Sequence, residues 1–145
     1  MKIKDISVIG IYCLMLAGAC NPVFAQSSIV GNLIYDLRKA AISTLSTYRA
    51  SGILGLRMQS TDCYLKRSFD QFPCVYIDIA SRYIDQGMVA INNFPPDEYF
   101  DGDKYYSRIG PVFLKDKLNR ETSNELMAFM TFVIAQEITS KVLKK

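Results

Sequence analysis

Apolar residues recur at helical spacing along most of this chain. Over 28–50, Leu33, Ile34, Leu37, Ala41, Leu45 and Tyr48 fall three and four apart, which predicts a helix with one buried face. Ser27-Ser28 offers an N-cap, and Asp36 early with Arg38, Lys39 and Arg49 later suits the helix dipole. Ser51-Gly52 marks a kink or break, 53–68 continues as a second helical stretch, and 69–73 reads as a loop. Over 74–93, Cys74, Ile77, Ser81, Ile84, Met88 and Ile91 form a core seam, with Pro73 in the first turn. Segment 107–118 reads as a short helix carrying Pro111, and 119–122 as a turn. Thr122 with Glu125 matches a capping box ahead of a last helix that ends among Lys141, Lys144 and Lys145. The pattern predicts an all-α fold: a single small helical domain of four or five helices.

The first residues change what the chain is for. Lys2 and Lys4 precede an apolar run over 6–20, followed by Asn21-Pro22 and then Val23-Phe24-Ala25. The run, at ~15 residues, is short of the ~20 that span a bilayer. It predicts a signal peptide, 1–25, cleaved after Ala25. The remaining helical domain, 26–145, is long enough for one core and is expected in the periplasm. A second reading uses Ala17-Gly18-Ala19-Cys20 as a lipoprotein signal, although Ala17 stands where a larger aliphatic is usual. Only then, with lipid on Cys20, would the domain meet a membrane.

Export also decides the cysteines. Cys13 leaves with the signal, as does Cys20 under the first reading, so Cys63 and Cys74 remain as an even pair in an oxidising compartment. They are expected to form a disulfide, the rival being two free buried thiols. With no His in the chain, a zinc site is not expected. Loss of Lys2, Lys4 and Asp5 lowers the net charge from +3 to +2, without the clustered cations of a nucleic-acid footprint.

The chemistry concentrates in 94–106. Residues 97–106 carry four carboxylates and four aromatics in ten positions. Aromatics rimmed by charge suit a protein interface, so Asp97, Glu98, Tyr99, Asp101, Asp103 and Tyr105 are the expected partner-binding residues. The alternative is a structural loop in which Phe94, Phe100 and Tyr105 fold onto the core while the acids are solvated. A calcium loop starting at Asp97 fails, because Tyr99 would take the third position and Arg108 the twelfth. The apolar run 126–135 is expected at the centre of the fold, or else at a subunit interface, which leaves a homodimer open. Asp78, Arg82 and Asp85 read as an exposed salt-bridged stripe, with paired acid–base carboxylates as the sharper alternative. No His, phosphate-cradling glycine motif or dinucleotide fingerprint is present, so no catalytic residue, metal or cofactor is assigned and the chain is not expected to be an enzyme.

The unit from Asp62-Cys63 through Pro73-Cys74-Val75-Tyr76 to Gly87, behind a signal peptide, resembles small bacterial periplasmic immunity proteins. These are the Tai and Rap types, which neutralise peptidoglycan amidases delivered by type VI secretion. The resemblance covers about 25 residues and the overall architecture. It implies a non-enzymatic inhibitor that occludes the active-site cleft of such an effector, often as a dimer. No binding residue carries over from it; on physical grounds an exposed protruding loop would plug a cleft, and 94–106 is the segment expected to do so. The competing reading is a non-enzymatic envelope binding or structural module.

Overall fold

Gly52 divides the first helix. The computed structural model describes residues 24–93 and 95–143. The expected signal peptide, with Cys13 and Cys20, lies outside the described residues except for its last two positions, and so does Phe94. The described residues form α1 (Phe24–Lys66), α2 (Phe72–Asn92), α3 (Gly102–Lys115) and α4 (Arg120–Leu143), with no strand among them. Helix α1 therefore starts ahead of the expected Ser27-Ser28 cap.

Within α1, Gly52 adopts φ 62° and ψ −156°, a region open essentially to glycine alone. The Gln59 amide donates to Ser43 Oγ at 3.1 Å across a separation of 16 residues. A straight helix would hold those residues ~24 Å apart. The two arms of α1 thus fold back on each other about Ser51-Gly52. Gly55 permits the close approach, since a Cβ there would stand 2.5 Å from Ser51 Cβ and 3.2 Å from Thr47 Cγ2. Counting the arms separately gives five helical segments. Gly52→Ala is expected to destabilise the domain by about 1–3 kcal/mol, read from a urea midpoint; an unchanged midpoint would mean that the arms do not need this backbone.

The expected seam of the first helix is observed: Leu33, Leu37, Ala41 and Leu45 are buried. Helix α2 differs from its predicted pattern. Cys74, Ser81 and Ile84 are buried as expected, but Ile91 is 79% exposed, and Val75, Tyr76, Asp78, Ile79, Ala80 and Asp85 are buried too. The reason is position: α2 packs against α1, α3 and α4, so its first four turns have no solvent face. Helix α2, rather than the 126–135 run, is the centre of the fold. In α4, Leu126, Met130, Val133, Ile134 and Ile138 are buried, while Phe132 is 50% exposed. Helix α4 is long and apolar enough, by length and composition, to cross a membrane. Its inner face nevertheless packs on α1 and α2, as a core helix does.

Two element starts are corrected. Helix α3 begins at Gly102, five residues before the expected 107, and so takes up half of the acidic-aromatic segment. Asn119, not Thr122, caps α4: its Oδ1 accepts the Thr122 N–H at 2.8 Å. The Cys63–Cys74 disulfide is formed, with Cα atoms 5.5 Å apart, and it ties the end of α1 to the start of α2.

Candidate functional site

Asp78 is the pivot of a buried polar cluster. It lies in the apolar central helix with its side chain 0% exposed. A charge placed there needs partners, and three arrive from other elements. Ser60 donates to Oδ1 and Tyr64 to Oδ2 (3.2 Å), both from the second arm of α1. Arg108 of α3 donates its Nε–H to Oδ2 at 3.0 Å. The exposed Asp78–Arg82–Asp85 stripe is thereby overturned: Asp78 and Asp85 are buried, and Asp78 pairs with Arg108. Arg82 instead stacks on Tyr105, its guanidinium carbon 4.4 Å from the ring centroid. Burial, followed by the charge of Asp78, pushes the Tyr64 hydroxyl well above its ordinary pKa.

This cluster anchors the acidic segment. The Tyr99 hydroxyl lies 3.0 Å from Ser60 Oγ and accepts from Thr61 Oγ1 at 3.1 Å. The Arg108 guanidinium lies over the Tyr99 ring at 3.7 Å. Two residues earlier, the Asp97 carboxylate accepts from Arg57 Nε at 2.8 and 2.9 Å and from Arg57 Nη2 at 2.5 Å. The same carboxylate accepts the Tyr99 N–H at 2.9 Å, closing a local turn. The Asp97 N–H donates in turn to Asp85 at 3.1 Å. Phe100 is buried edge-on to Tyr99, with ring centroids 5.0 Å apart.

The six expected partner-binding residues therefore divide. Glu98, Asp101 and Asp103 are exposed. Asp97 and Tyr99 are half-buried and spent on anchoring, and Tyr105 is a core residue at 2% exposure. Glu98 pairs with Lys104 at 2.7 Å, and that hydrogen bond holds its carboxyl below the usual range. Arg57, Ser60, Thr61, Tyr64 and Arg108 complete the arrangement, and none of them was expected from the sequence. The available signal was Asp78 itself, a lone acid between Ile77 and Ile79. Among the described residues, no group of acids and cysteines is arranged to hold a metal.

Asp85 gives the cluster a measurable pH response. Burial raises its carboxyl above the ordinary range, and the hydrogen bond from the Asp97 backbone only partly offsets this. With the folded value raised, protonated Asp85 favours the fold. That contribution is complete below the ordinary carboxyl range and is lost as pH rises through the folded value. Asp85→Asn keeps an acceptor for the Asp97 N–H and does not ionise. Its urea midpoint relative to wild type should therefore rise between pH 3 and pH 7; a difference that is flat or falls over that window contradicts the assignment.

The fold and site define a disulfide-tied helical domain that presents a clamped acidic segment. Comparison with protein-family models, with curated proteins and with solved structures gives no match.

Proposed function

We propose that this protein is a periplasmic immunity protein that binds a peptidoglycan amidase effector delivered by type VI secretion and occludes its active site. The observation that carries the reading is the clamped segment. Asp97, Tyr99 and Phe100 are held by Arg57, Ser60, Thr61 and the core, while Glu98, Asp101 and Asp103 face solvent. A recognition element fixed before encounter loses little conformational entropy on binding. Residues 97–106 have a net charge of −3 in a chain whose net charge is +3, so negative potential is gathered where contact is proposed. Many cell-wall-degrading enzymes are basic, and acids on an inhibitor speed their encounter. The protein acts by contact and not by catalysis.

The test is genetic. Deleting the gene in its own cells should cause lysis only while a co-resident type VI amidase is active, and the exported wild-type chain should restore survival. Lysis that persists after the amidase is inactivated, or no lysis at all, rejects the reading.

A further inference from the structure

We infer that partner contact extends from the acidic segment onto α1: Leu54, Met58 and Leu65 form an apolar strip for a protein whose own apolar contacts are ringed by Lys and Arg. This rests on the reading that the chain works by protein–protein contact. Leu54, Met58 and Leu65 are 65%, 63% and 78% exposed. With Thr61 between them they are spaced four, three and four residues apart, so they share one helix face. That face is the side of α1 away from the core, where an isolated exposed residue is ordinary but a row of large apolar ones is not.

The acidic segment runs along the border of this row. Tyr99 meets Thr61, which belongs to the row, and Asp97 holds Arg57, the neighbour of Met58. Glu98 lies between those two tie points. The surface therefore has an apolar centre and a charged rim, the anatomy of a protein interface. Charge selects the occupant. Arg57, Lys66 and Lys104 already face Asp97, Asp62 and Glu98 of the same chain, so within residues 97–106 the charge left uncompensated comes from Asp101 and Asp103. An anionic lipid surface is repelled by that rim. A basic protein surface complements it.

The experiment places the photocrosslinker benzoylphenylalanine at Leu54, at Met58 or, as control, at Ile42 on the other arm of α1, in the full chain exported by its own cells. Adducts are identified by mass spectrometry. The expected result is an adduct with one heterologous basic protein at 54 and 58, at least about ten-fold above that at 42, as for a contact at the centre of an interface. Introducing Asp101→Asn with Asp103→Asn should lower that yield several-fold while the disulfide and helix content stay unchanged. Adducts with a second copy, with lipid or with an acidic protein overturn the inference. Adducts at 42 but not at 54 or 58 overturn this placement and leave the contact reading standing. No adduct at any position overturns both.

Discussion

Replacing Asp78 by Ala is expected to cost the folded protein about 3–5 kcal/mol, the largest effect of any single substitution considered. The carboxylate is fully buried and receives Ser60, Tyr64 and Arg108 from two other helices. Truncation leaves the Arg108 guanidinium, only 18% exposed, with no carboxylate, while its Nη2 already has no partner. It also takes the acceptor from the half-buried Tyr64 hydroxyl and leaves the buried Ser60 hydroxyl only Tyr99 as a partner. The cost of desolvating those groups remains after the compensating charge has gone. A urea titration of the oxidised domain measures the loss directly. The double variant Asp78→Leu with Arg108→Met separates the two contributions. Removing both charges leaves no buried ion uncompensated, so most of the lost stability should return. If Asp78→Ala shifts the midpoint by less than about 1 kcal/mol, the pair is not the pivot described. If the double variant is no better than the single one, the penalty lies in packing and not in an orphaned charge.

That cluster marks where sequence stops being informative. Periodicity reported the α1 seam because Leu33, Leu37, Ala41 and Leu45 face one neighbour side. Gly52 was legible because a positive φ falls to glycine. The cysteine pair followed from parity and from the oxidising compartment that the leading segment led one to expect. Helix α2 was misread because a central helix buries several faces at once, and a single seam cannot express that. The partner of Asp78 stands 30 residues away on a helix that folds back over it, and no local spacing encodes that meeting. Arg82, four residues along, was the nearest cation but lies over Tyr105 instead. Helix α3 hid its first turn among acids and aromatics, although Tyr105, Ile109 and Val112 share its buried face. Thr122 and Glu125 fitted a capping pattern, but Asn119 reaches the same N–H from one turn earlier. The acidic segment was found as a composition. Which of its residues face outward and which anchor inward depends on Arg57, Ser60 and Thr61, contacts about 40 residues distant.

Removing the disulfide by Cys63→Ala with Cys74→Ala is expected to lower stability by roughly 3 kcal/mol, because the bridge closes a loop with a sequence separation of 11. Its position gives it a second consequence. Ser60 and Tyr64 lie just before and just after Cys63 on α1, and Asp78 lies one turn beyond Cys74 on α2. The bridge fixes the register of the two helices that assemble the Asp78 cluster. Without it, the hydroxyls and the carboxylate meet only as often as the helix pair holds its register. The cysteine variant should therefore already have lost part of what Asp78 contributes. A double-mutant cycle reads this out. Asp78→Ala in the bridged domain should cost more than the same change in the unbridged one, with a coupling of about 0.5–3 kcal/mol. Loss of the bridge by reduction should show the same inequality. Costs that add within about 0.5 kcal/mol would mean that α1 and α2 hold their register without the bridge, leaving the disulfide only its effect on the unfolded chain.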